Sequence, residues 1–209
     1  MNYLAHAYLS FGNREILLGN MISDFVKGKQ QYLYPDAVHK GIVLHRFIDT
    51  ITDNHEATHR AKEVFRPAYR LYSGAFIDVV YDYFLANDSD TFGPGDLFDF
   101  AQQTYALLGA QQHLMPARFR HMFYYMQQQN WLYGYASKQG IYQSFGGLVK
   151  RAAYLQDSLP AIAVFEAHYT LLESCFRQFW TSARPLIARR FEELTARETE
   201  SGPAGEGEG

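Results

Sequence analysis

Apolar residues recur along this chain at three- and four-residue spacings, and no segment alternates apolar with polar positions as a half-buried strand would. The pattern predicts an all-α fold, a single compact domain of about eight or nine helices. A short helix is expected over roughly 2–9. Asn13 can cap a second helix, which carries Ile16, Leu17, Met21 and Phe25 and stops near Gly28. The third runs from about Asp36 to Thr52, after the YLYP turn, and Asn54 suits the cap of a fourth over 56–66. A strongly apolar fifth helix, about 69–86, ends at the turn-forming NDSD and FGPG segments. Further helices are expected over 96–108, 116–129 and 141–155. The last begins near Pro160, where proline is tolerated in a first turn, and Pro185 should kink or interrupt it. Residues 1–194 then form the domain. The final segment, TARETESGPAGEGEG, is Gly- and Glu-rich with nothing to bury, and is expected to be a disordered acidic tail.

Aromatic residues make up 16% of the 209, with 16 Tyr and 16 Phe, which excludes disorder over the body. The same load is compatible with a homodimer. Cys175 is the single cysteine, so an intramolecular disulfide or a cysteine-based zinc site is excluded. The N-terminal residues lack a basic, apolar leader, and no run of roughly 18 apolar residues occurs, so no membrane span and a cytoplasmic location are expected. A net charge of −3 argues against a strongly basic nucleic-acid binder. Its distribution changes the picture: residues 1–109 carry −4, residues 110–194 carry +4, and the tail carries −3. No Asp or Glu occurs from Phe100 to Gln156, while Arg118, Arg120, Lys138, Lys150 and Arg151 do. That half fits a docking face for an acidic partner.

The candidate chemistry lies in the acidic half. His45 and Asp49 are one helical turn apart on the stripe that Val38 and Ile42 begin, so they point inward. A buried His–Asp pair satisfies itself by a hydrogen bond or by holding a divalent metal. Asp78 and Asp82 share a face of the most apolar helix, and two such carboxylates repel unless a cation or proton intervenes. Asp24 stands near a helix C-terminus, where the macrodipole disfavours it. His6 lies on the first helix, facing the same way as Asn2. Mixed imidazole and carboxylate donors suit Mn, Fe, Mg or Zn, and the carboxylate excess leans toward the harder Mn²⁺ or Mg²⁺.

Four blocks, MNYLAHAYLS, LLGNMISDFVKG, GIVLHRFIDTITDNH and YSGAFIDVVYDYFLA, occur in an order that resembles the acyl carrier protein phosphodiesterases. The resemblance covers most of residues 1–90 and continues more diffusely to about Leu194. It implies a helical, HD-domain-like core and a manganese-dependent hydrolase that removes 4′-phosphopantetheine from holo acyl carrier protein. It further implies Asp24, His45, Asp49, Asp78 and Asp82 as site residues and metal ligands, with His6 a further ligand. The usual adjacent His-Asp pair of HD enzymes is absent, since His45 is followed by Arg46.

Cleaving such a diester needs an activated water, neutralised phosphate charge and a proton for the departing serine oxygen. Arg46 or Lys27 can contact a phosphate oxygen, with Arg the better fork. His55 is the candidate general acid. The acidic carrier protein supplies the partner for Arg118, Arg120, Lys138, Lys150 and Arg151. Two other readings compete: an HD-type hydrolase of nucleotides or other small phosphoesters, and a helical binding protein whose His and Asp residues are mere buried pairs.

Overall fold

The computed structural model describes residues 1–196, so the tail expected over 195–209 lies outside the described residues except at its first two positions. Eleven α-helices and no strand occur among them: α1 (Tyr3–Tyr8), α2 (Arg14–Ile22), α3 (Asp36–Asn54), α4 (Glu56–Tyr69), α5 (Ser73–Ala86), α6 (Asp96–Gly109), α7 (Ala117–Gln128), α8 (Trp131–Gly134), α9 (Lys138–Arg151), α10 (Leu159–Ala167) and α11 (Tyr169–Thr195).

The tightest contact is the α2–α3 hairpin. A Cβ on Gly19 would run into the Val38 carbonyl oxygen, and one on Gly41 into that of Ile16. Two glycines facing one another therefore let the helix backbones touch. Around this pair α5 forms the centre, with Phe76, Ile77, Val79, Val80, Tyr81 and Phe84 all buried. Phe65 of α4, Phe76 of α5, Phe145 of α9 and Phe165 of α10 join in one aromatic cluster. Tyr81 stacks on Phe179 of α11 at 5.3 Å. Each fully buried aromatic contributes about 1.5–3 kcal/mol, so this cluster is a principal tie between the halves.

Most expected boundaries hold within a turn, and the differences have local causes. Asn13 caps α2 as expected, its side chain accepting from the Ile16 N–H at 3.0 Å. The α-helix itself ends at Ile22, and 3-10 turns cover Ser23–Phe25 and Gly28–Leu33. The cap of α4 is His55, not Asn54: its Nδ1 accepts from the Ala57 N–H at 3.1 Å. Ser137 caps α9, which starts earlier than expected. The four-residue α8 is too short to show a period, and it follows Asn130 in the left-handed region. The last expected helix is two, broken at His168, while α11 runs unbroken through Pro185. Pro185 and Thr181 are both exposed, so the carbonyl that proline leaves without its helical donor can turn to water.

Candidate metal centre

Three elements bring imidazole and carboxylate together. From α3 come His45 and Asp49, from α1 His6, and from the turn after α2 Asp24. The two imidazole rings stack at 4.0 Å, with 18° between their planes. His6 Nε2 lies 3.2 Å from Asp49 Oδ1. His45 Nε2 lies 3.1 Å from Asp49 Oδ2 and 3.3 Å from Asp24 Oδ1. His6, His45 and Asp49 offer ligand atoms within 4.8 Å of one another. Both histidines are buried, while Asp24 is exposed and Asp49 only half-buried. The group therefore sits at the floor of an open pocket of about 210 Å³, whose wall adds Asn20, Asp53 and Asp78.

Asn20, which the sequence reading did not single out, sets the chemistry of both rings. Its side-chain amide donates to the His6 carbonyl at 2.8 Å and to Ser10 Oγ at 3.1 Å, which turns its Oδ1 toward His6 Nδ1 at 2.8 Å. Its backbone carbonyl meets His45 Nδ1 at 2.7 Å. Both Nδ1 atoms therefore donate, and both Nε2 atoms turn to the carboxylates. A neutral ring with Nδ1–H has a bare lone pair at Nε2, so His6 and Asp49 present two acceptors to each other. A proton or a cation must sit between them. The signal for Asn20 was present: one polar residue in a helix that buries every position from Ile16 to Ile22.

The ionisation pattern follows from this packing. Burial, aided by the nearby charge of His45, pushes His6 down to about 4. Burial also opposes charge on His45, but its hydrogen bonds to Asp24 and Asp49 and their charges outweigh this and raise it to about 9. The hydrogen bond from His45 is the main cause of Asp24's lowered pKa. For Asp49 burial works the other way, yet the two histidines hold its carboxyl well below the usual range.

Asp78 lines the pocket, and its Oδ1 accepts from the Met1 ammonium at 2.8 Å. Asp82 is not in the pocket wall. Its carboxylate accepts from the N–H groups of Asn2, Leu4 and Ala5 at 2.7–3.3 Å, capping α1. Burial pushes Asp82 up to about 7 against the pull of the ammonium and those donors. The paired carboxylates of α5 thus find their partners in the N-terminal segment. The repulsion expected between them is relieved by the Met1 ammonium at Asp78 and by backbone donors at Asp82. His55 is also outside the wall, where it caps α4 and makes a 2.9 Å contact to Ser182 Oγ. Arg46 is exposed and donates to Gln31 Oε1 at 2.7 Å, and neither it nor Lys27 lines the pocket. Lys138 pairs with Glu166 at 2.7 Å. Arg118, Arg120, Lys150 and Arg151 are exposed and make no ion pair among the described residues.

The donor set fits a divalent ion. Two imidazoles whose other nitrogen is held by an oxygen acceptor, with two adjacent carboxylates, make a mixed N/O site of the kind that binds Mn, Fe or Zn. Cys175 is buried on α11 and takes no part.

A family model described as acyl carrier protein phosphodiesterase matches residues 1–183. Curated relatives named acyl carrier protein phosphodiesterase include one from Yersinia pestis, 34% identical over 181 residues, covering 86% of this chain and 94% of the relative. Another, from Serratia proteamaculans, has the same identity and coverage. One from Escherichia coli O157:H7 is 31% identical over 195 residues, 91% of this chain and 99% of its own. No solved structure matches significantly. No helix among the described residues is long and apolar enough to cross a membrane. A match over nearly all of the described helices, with relatives aligned along almost their full length, makes this chain a member of the acyl carrier protein phosphodiesterase family.

Proposed function

We propose that the chain is a metal-dependent phosphodiesterase that hydrolyses 4′-phosphopantetheine from holo acyl carrier protein, giving apo protein and the free phosphopantetheine. The observation that carries this reading is the pair of imidazole Nε2 atoms turned on Asp49 and Asp24 in a chain of this family. His6, His45, Asp49 and Asp24 are the residues that would hold the ion, with Mn²⁺ the first choice and Mg²⁺ or Fe²⁺ next. Such an ion supplies a water acidic enough to attack at neutral pH and polarises a phosphoryl oxygen. Asn20 fixes both ring tautomers. Asp78 borders the pocket on the side of α5.

Arg118, Arg120, Lys150 and Arg151 form the docking set for the acidic carrier, and Lys138, already engaged by Glu166, plays the lesser part. Phe119 packs against Phe25, next to Asp24, so the start of α7 lies beside the pocket. The test is a mass measurement on holo carrier protein incubated with the enzyme and Mn²⁺, with and without chelator. The expected result is metal-dependent loss of the phosphopantetheinyl mass. Unmodified holo protein, with phosphate or nucleoside release from a nucleotide panel instead, would overturn the assignment.

A further inference from the structure

A phosphodiester has two substituents, and the metal pocket has room for neither. Its volume of about 210 Å³ holds a phosphate, whereas sites that bury a whole small molecule run to about 300–1,000 Å³. Two recesses adjoin it. One shares Asp53 and Asp78 with the metal pocket and is lined by Lys62, Arg66 and Arg70, a wall suited to anions. The other shares Asn2 and Tyr3 and opens between the middle of α5, α8 and α9, with a volume of about 660 Å³.

The chemistry of the second recess is specific. Trp131 and Tyr135 supply aromatic wall, and Gln143 and Ser144 supply amide and hydroxyl groups. Tyr135 is only 4% exposed, and its hydroxyl has no hydrogen-bond partner among the described residues. Tyr135 lines the recess, so that hydroxyl is open to a hydrogen bond from an occupant. Gly134 also lines the cavity, and a Cβ added there would meet nothing within 4 Å.

We infer that the cavity between α8 and α9 is the binding site for the uncharged, amide-bearing arm that stays on the phosphate when the serine oxygen departs. The inference rests on the phosphodiesterase reading and adds where the arm lies. Its two amides and hydroxyl match Tyr135, Gln143 and Ser144, and its apolar parts match Trp131. Exposed Lys150 and Arg151 line the same cavity, so a carrier docked there would sit over the arm it presents.

The chain's two tryptophans allow a direct test, because Trp131 lines the cavity and Trp180 packs on Phe176 in the core. Pantetheine, which has no phosphate, is titrated into the wild-type protein while the two indole N–H resonances are followed. The expected result is a saturable shift at Trp131 with Trp180 unmoved. In Gly134→Phe the apparent affinity should fall at least tenfold, as should kcat/KM on holo carrier protein. Hydrolysis of bis(4-nitrophenyl) phosphate should stay within twofold of wild type. Absence of a saturable Trp131 shift, or wild-type turnover of holo carrier by Gly134→Phe, would overturn the inference. Should Gly134→Phe not fold, Gly134→Leu, whose Cβ likewise meets nothing within 4 Å, is read by the same criteria. Failure of the phosphodiesterase reading shows separately, as wild-type enzyme that leaves holo carrier intact, while the Trp131 titration reports on the cavity in either case.

Discussion

At the residue scale, Asn20 and His45 decide how the site behaves. Asn20 holds His6 through its side chain and His45 through its backbone, so only the first hold is lost on mutation. Asn20→Ala should cost about 1–3 kcal/mol of stability, from the groups left unpaired around His6 and Ser10. It should also weaken Mn²⁺ binding by about 10–100-fold, since the ring that presents a ligand loses its support. Calorimetric titration with Mn²⁺ and a thermal melt check both. In the metal-free protein the two histidines respond to pH in opposite directions. His45, raised to about 9, contributes stability that is complete below the unfolded value near 6.5 and is lost as pH rises through 9. His6, lowered to about 4, stays neutral where the unfolded chain takes a proton, so stability falls as pH drops from about 6.5 toward 4. Asp49 adds to the acid-side loss below the ordinary carboxylate range. A chelated sample should therefore melt highest near pH 6.5 and lower on either side. In His45→Gln the alkaline decline should vanish, and persistence of that decline would assign it elsewhere.

At the element scale, the site depends on one helix contact. Asn20 and Asp24 are held by α2 and its following turn, His45 and Asp49 by α3, and the two helices meet through Gly19 and Gly41. Gly19→Ala puts a methyl group against backbone atoms that cannot swing away. The expected cost is about 3 kcal/mol, at the upper end of ordinary overpacking. For a chain of this size that lowers the melting temperature by roughly 6–12 °C. Gly74→Ala is the control, because its added methyl meets only the flexible end of Lys62 at 3.4 Å. Equal melting of the two variants would remove the close approach as an explanation. The sequence carried the α3 stripe plainly, through Val38, Ile42, His45 and Asp49. The glycine pair was silent there, because a contact between two helix backbones leaves no period in either helix.

At the scale of the whole molecule, charge is arranged around the pocket rather than summed. Reversing Arg118, Arg120 and Lys150 to Glu should lower kcat/KM on holo carrier protein by at least tenfold, mainly through association, and flatten its salt dependence. Turnover of a small chromogenic diester should be unchanged. Unaltered salt dependence with the carrier would place the docking face elsewhere, and the recess lined by Lys62, Arg66 and Arg70 would be the next surface to reverse.

Spacing along the chain was enough for the helical class, nine of the segments and the stripe that turns His45 and Asp49 inward, because those depend on spacing within one helix. The sequence also separated an acidic half from a basic one. It named Asp78 and Asp82 as carboxylates in need of a partner, and that need was correctly read. Which group meets it depends on how the helices pack: Asp82 caps α1 through three backbone N–H groups, and Asp78 takes the Met1 ammonium. The same is true of His55, a helix cap rather than a pocket residue, and of Asn20, which links α1, α2 and α3. A partner reached across 77 residues leaves no trace in local periodicity. Geometry between helices, not pattern within them, sets which of the acids and histidines face one another.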